Sequence, residues 1–272
     1  MMYDSFFHAL QNEVRMLPAT HRGLRRLGYK LPAIGKFLTG RYLSKETETP
    51  SQGFRTQEGF DLVRRRDFVL YQEIFIMDTY QVPIWAKDFS ACQTPVVLDI
   101  GANVGMFSAL CASLNPSVKL SCFDIVPECS GAVTNRLSPL GVVPRHVVAA
   151  AVGSRHGGEL TIHYDHPYDA ANSVEKNSGR REAIVPRVSI DGWCEEVGLR
   201  DPVFLAKVDV EGAECDVLRG GMATFGRTEI ILMELHGTLD ALPLLLPTHE
   251  ELAREKLGGE AWVSILRLRR SV

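Results

Sequence analysis

The sequence predicts an α/β fold with a mainly parallel seven-stranded sheet and helices on both faces. Three observations carry that prediction. Short apolar runs of strand length recur along the chain, as at Val96–Leu98 and Ile230–Met233. Stretches with apolar residues at helical spacing separate them, as in MFSALCASL at 106–114. The first such strand runs straight into a glycine turn, DIGANVG, that opens the following helix. Strands alternating with helices in this way build parallel sheets, because each crossover must return along the face of the sheet.

The elements follow in order. Residues 1–53 read as a helical appendage and linker, with 54–272 the main domain and its core from about 94. Residues 5–40 read as short helices interrupted at Gly23, Gly28, Pro32 and Gly35, and 44–53 as a polar linker. Phe54–Arg66 suits a strand pair turning near Gly59, and Asp67–Tyr80 has helical spacing. The seven strands are then Val96–Leu98, Lys119–Phe123, His146–Ala151, Glu159–Asp165, Val203–Val210, Glu229–Leu235 and Ala261–Arg269. Between them fall helices at Met106–Leu114, towards Leu137, at Ser189–Leu199 begun by Asp191, and at Ala213–Leu218 before Gly220-Gly221.

Composition narrows the function. With 272 residues, net charge −3 and 45% apolar content, the chain has the make-up of an ordinary globular protein. No run approaches the roughly 18 apolar residues of a membrane span, and the first residues show no secretory pattern, so the expectation is a cytosolic protein. Cys92, Cys111, Cys122, Cys129, Cys194 and Cys215 are scattered without a C-x-x-C pair and read as small core residues. Residues 1–45 hold eight basic side chains against two acidic ones, leaving 22 basic and 31 acidic in the remainder. Such an arm suits an anionic membrane face or an anionic substrate, and equally a solvated helical face. The acidic remainder disfavours nucleic acid. Oligomeric state is not legible.

The glycine turn holds Asp99, Gly101, Asn103 and Gly105. A dinucleotide fingerprint begun at Gly101 requires glycines at 103 and 106, where Asn103 and Met106 stand. It also sets pyrophosphate beside the Asp99 carboxylate. A cationic nucleoside without phosphate, S-adenosylmethionine, has the opposite charge pattern and suits the acid. Asp124 ends the next strand 19 residues after Gly105, near the spacing at which an acid accepts ribose hydroxyls.

VVLDIGANVGMFSAL, CFDIVPE, AAVGSRHGGELTIHY, VSIDGWCEEVGL, LAKVDVEGAECDVLRGG and ILMELHG together resemble the FkbM family of methyltransferases, from about Phe54 to His236. The resemblance implies a Rossmann-like class I methyltransferase fold and S-adenosylmethionine-dependent O-methylation of a sugar, polyketide or related small molecule. It implies cofactor contacts from Asp99, Gly101, Asn103, Gly105 and Asp124, with Ala151 and Val152 beside the adenine. The sequence departs from the family's F-E-P at Asp124-Ile125, and residues after Asp240 resemble nothing familiar.

Chemistry gathers at the ends of the last strands. Lys207 and Asp209 lie two apart and share a face, as do Glu234 and His236. Two roles stay open. His236 or a carboxylate takes the hydroxyl proton with Lys207 tuning the charge, His236 being favoured for its ordinary pKa near neutrality. Alternatively Asp209, Glu211, Glu234 and His236 hold Mg²⁺ or Mn²⁺. Lys207 reads equally as a buried ion-pair partner of Asp209 or Glu234, and Glu214 as an acid complementing a helix dipole. The polar stretch His163–Ser178 suits a substrate-side loop. A metal-dependent hydrolase and a non-catalytic nucleoside-binding protein are the competing functions, and the first leaves the glycine turn without a task.

Overall fold

The computed structural model describes residues 17, 19–20, 22–43, 54–169, 179–237 and 239–270. The linker expected at 44–53 and the helical residues expected before 17 lie outside them. The chain divides into two compact units, Met1–Thr79 and Tyr80–Val272, a later division than the one drawn at 53. No helix among the described residues is long and apolar enough to cross a membrane.

In the first unit, residues 22–26 are helical and Gly28, at φ +88°, turns the chain into the helix Leu31–Leu43. The interruptions expected at Gly23, Pro32 and Gly35 do not occur, since all three lie inside helical residues. Pro32 sits in an opening turn, where a missing N–H costs nothing. Strands β1 (Phe54–Arg55) and β2 (Asp61–Leu62) pair antiparallel around Gly59. The helix Arg65–Tyr71 follows, its start fixed by Asp67, which accepts from the N–H groups of Val63 at 2.9 Å and Arg64 at 3.0 Å. Phe37, Phe54, Phe60, Phe68 and Tyr71 form an aromatic core, with Phe37 and Phe68 edge to face at 5.3 Å.

The second unit is the predicted sheet. Its strands are β3 (Val96–Ile100), β4 (Lys119–Asp124), β5 (His146–Ala149), β9 (Val203–Val208), β10 (Ile230–His236), β11 (His249–Gly258) and β12 (Ala261–Leu268). Their spatial order is β11-β12-β10-β9-β3-β4-β5. Five central strands are parallel, while β12 runs antiparallel to both neighbours. From β3 the chain adds strands first on one side and then, from β9, on the other. The reversal between β3 and β9 is the topological switch point, where such sheets open a crevice beyond their strand ends. The helices Met106–Leu114 and Pro127–Leu137 cross between strands much as predicted.

Two differences matter. The segment Glu159–Tyr164 (β7), expected among the seven, pairs instead with Arg181–Val188 (β8) in a separate three-stranded sheet. Its third member is β6 (Ala151–Val152), so the expected strand His146–Ala151 breaks at Ala150 and passes from one sheet to the other. The seventh place in the main sheet goes to β11. The helix Ile190–Glu196 is capped by Ser189, whose Oγ accepts from Gly192 N at 3.2 Å. Asp191, expected to begin it, instead receives the first turn of the helix Met222–Phe225, accepting from Ala223 N at 3.0 Å and Thr224 N at 2.8 Å.

Candidate active site

The glycine turn closes over the end of β3. Gly101, at φ +84°, lies so near β9 that a Cβ would stand 1.7 Å from the Asp209 carbonyl oxygen, which leaves glycine alone admissible. Asn103 holds φ +47° and accepts from Val104 N at 2.9 Å through its own Oδ1. Its N–H donates to Asp124 Oδ2 at 2.7 Å, while Asp124 Oδ1 accepts from Val126 N at 2.9 Å. Asp124 therefore ties the first turn to the end of β4. Burial raises its pKa, against the pull of those two N–H donors. Gly105 completes the turn at φ +75°, against the backbone of Val133.

Asp99 lies beneath this turn rather than at its mouth. It is fully buried, with Oδ2 accepting from Ser108 Oγ at 2.6 Å. Its Oδ1 stands 3.7 Å from Lys207 Nζ and has no hydrogen-bond partner. Burial pushes its carboxyl up and the lysine pulls it back. Lys207, its direct neighbour across the β3–β9 pairing, is 3% exposed. The ammonium donates to the Gly101 carbonyl at 2.6 Å and meets Asp209 Oδ2 at 3.1 Å. Burial works against that charge, but Asp209 and Asp99 outweigh it and hold the pKa above its usual value. Lys207 is thus a buried ion-pair residue that braces the turn against β9. Its expected partnership resolves to Asp209 and Asp99.

At the end of β10, one oxygen or nitrogen each from Asp209, Glu234 and His236 lie within 4.8 Å of one another. Glu211, expected in the same ligand set, stands outside this trio, with Oε2 3.8 Å from His236 Nε2 and its own backbone at φ +55°. Glu234 accepts from Tyr80 OH at 2.6 Å, and burial together with the Asp209 charge raises its carboxyl to about 8. His236 Nδ1 pairs with Glu214 Oε1 at 2.8 Å, and this bond lifts the imidazole to about 9 against its burial. The ring is therefore charged at neutral pH, the wrong form for the base that its ordinary pKa suggested.

Sequence reasoning missed three partners. Tyr80, fully packed against Phe107 at 5.0 Å, orients Glu234. Ser108 donates to Asp99 Oδ2. Glu214, placed at this edge by its sequence position and expected to complement a helix dipole, binds His236, a pairing the sequence did not give, and accepts from Gly212 N at 3.0 Å. Nothing in the local pattern marks Tyr80, which is 154 residues from its partner. Ala151 and Val152 are buried in β6, just past the end of β5. In the stretch read as a substrate-side loop, His163 and Tyr164 belong to β7, while Pro167 and Tyr168 reach back to the turn region. Cys129 Sγ donates to Pro167 O at 3.4 Å, and Asn103 Nδ2 donates to Tyr168 O at 3.5 Å. Residues 170–178 lie outside the described residues.

Residues 99–255, more than half of the chain, match the methyltransferase FkbM domain. The chain belongs to the FkbM methyltransferase family. It is accordingly a methyltransferase with the Rossmann-like class I fold, and the hydrolase alternative falls away. The match also reaches beyond Asp240, into the hairpin that resembled nothing familiar. The 2-O-methyltransferase NoeI of Sinorhizobium fredii is 28% identical over 190 residues, covering 61% of this chain and 76% of that protein. The hexuronic acid methyltransferase AglP of Haloferax volcanii is 25% identical over 148 residues, covering 53% and 57%. The crystal structure of an rRNA methylase from Streptococcus thermophilus aligns with TM-score 0.42 and 14% identity, covering 67% of this chain and 93% of that one.

Proposed function

We propose that this FkbM-domain enzyme is an S-adenosylmethionine-dependent O-methyltransferase whose acceptor is a hydroxyl of a sugar or related small metabolite. The observation that carries the reading is the meeting of Asp209, Glu234 and His236 beside the Gly101–Gly105 turn, at the switch point between β3 and β9. The site fits the cofactor's charge. Asp99, Asp209 and Glu234 surround one buried lysine already committed to the first two, so a cation is welcome and a diphosphate is repelled. The turn and the Asp124 carboxylate would hold the nucleoside, with Ala151 and Val152 beside the base. When bound, S-adenosylmethionine supplies a methyl carbon on positively charged sulfur.

The chain's own residues then manage the acceptor. Glu234, raised to about 8, takes the hydroxyl proton in its ionised form, whose share grows as the pH rises towards 8. Tyr80 fixes the orientation of that carboxylate. Charged His236, steadied by Glu214, donates a hydrogen bond through Nε2 to hold the acceptor in line. The names of NoeI and AglP, a 2-O-methyltransferase and a hexuronic acid methyltransferase, support a sugar acceptor. The acidic balance outside residues 1–45 supports a small molecule over nucleic acid, and the unbridged cysteines suit the reducing cytosol.

Incubating purified protein with S-adenosylmethionine and a panel of neutral sugars, uronosides and phenols tests the reading by release of S-adenosylhomocysteine. Tight binding of NAD with no binding of the methyl donor would overturn it. The trio of Asp209, Glu234 and His236 is also spaced to share Mg²⁺ or Mn²⁺. That second reading requires His236 to give up its proton and Asp209 to share its charge with Lys207. Turnover is therefore expected to survive EDTA, and its loss, restored by Mg²⁺, would favour the ion.

A further inference from the structure

Between Glu13 and Glu46 the sequence has no acidic residue, yet it carries Arg15, Arg22, Arg25, Arg26, Lys30, Lys36, Arg41 and Lys45. The fold sorts the described part of this stretch by side. Leu24, Tyr29, Ile34 and Phe37 are buried within the first unit, while Arg22, Arg25, Arg26, Lys30 and Lys36 are exposed. Leu31 stands 61% exposed among them. Arg25, Lys30, Leu31 and Pro32 line one open depression of about 520 Å³. An apolar side chain set out between cations gains nothing in water. At a membrane interface the leucine enters the acyl boundary while the cations meet phosphates, and their aliphatic stems add apolar contact.

We propose that residues 22–36 form a docking face for an anionic phospholipid surface. Charge complementarity selects the occupant. Each lysine or arginine near such a surface contributes roughly a five-fold gain in partition. Residues 46–272, with 31 acidic against 22 basic side chains, are repelled by it, so attachment depends on this face. Nucleic acid is the poorer fit, because the ring of Tyr29, which lines the depression, is buried and offers no stacking platform. The proposal is independent of the methyl-transfer reading, since none of these residues belongs to the candidate active site.

Co-sedimentation of the full chain with vesicles tests it. The protein is expected to pellet with phosphatidylcholine–phosphatidylglycerol vesicles, to stay in solution with phosphatidylcholine alone, and to be released by high salt. Arg25→Gln and Lys30→Gln should each lower partition about five-fold. Leu31→Ser should weaken binding with the salt dependence unchanged, and circular dichroism should show all three variants folded. Equal behaviour on the two vesicle types, unaltered partition of the Arg25→Gln/Lys30→Gln variant, or retention on RNA with none on vesicles would overturn the proposal.

Discussion

His236 shows how far one hydrogen bond resets a residue's chemistry. Its pairing with Glu214 carries the imidazole from 6.5 to about 9, so the folded state binds the proton more tightly than the unfolded chain does. The resulting stabilisation is complete below pH ~6.5 and fades as the pH rises through about 9; it amounts to roughly 3 kcal/mol. Denaturant midpoints measured from pH 6 to 10 should fall across that window, and His236→Gln should flatten the fall. Glu234 poses the complementary case, a carboxyl that is neutral below about 8 and becomes a proton acceptor above it. Glu234→Gln is expected to lower kcat by about 10²–10⁴ while S-adenosylmethionine affinity stays within two-fold (roughly) of the parent. A variant that keeps full kcat would remove Glu234 from the base role. The sequence named both residues correctly as neighbours on one strand face, because a two-residue offset suffices for that. It did not give their protonation states, because Glu214 reaches His236 from another element and burial beside Asp209 sets Glu234.

At the scale of elements, the turn Gly101–Gly105 is where the two halves of the sheet touch. A methyl group at Gly101 has nowhere to go but into the Asp209 carbonyl, and φ +84° adds backbone strain. Gly101→Ala should therefore destabilise the protein by about 3 kcal/mol or more in urea unfolding and abolish cofactor binding; a change below about 1 kcal/mol would show that β9 yields. The parallel strands and this turn were legible because burial on both faces writes unbroken apolar runs, as in Val96–Leu98. Arg181–Val188 and His249–Gly258 were not. In the first, only Val185 and Val188 are buried and Pro186 interrupts the run. The second, HEELAREKLG, lies at the sheet border with most side chains in water, so its composition resembles a solvated helix. The mistaken seventh strand follows from that. β7 has the alternating pattern of a half-buried strand, and nothing in such a pattern says which sheet it joins.

For the whole molecule, the family assignment makes ligand linkage the most direct readout. S-adenosylmethionine at one hundred times its Kd should stabilise the native chain by about 2.7 kcal/mol, seen as a rise in Tm that follows ligand concentration, with NAD giving none. No shift at saturating methyl donor would count against the proposed cofactor. The outermost strand of the seven has a further consequence. β11 leaves one side of its backbone without a neighbour among the described residues, yet it carries Glu250, Glu251, Arg254, Glu255 and Lys256 and breaks register near Leu252 and Leu257. A foreign strand arriving there meets fixed charges and an uneven ladder, so sheet extension stops at this margin. Smoothing it, with threonine or valine at those charged positions, would turn a guarded border into a seed for fibrous self-association.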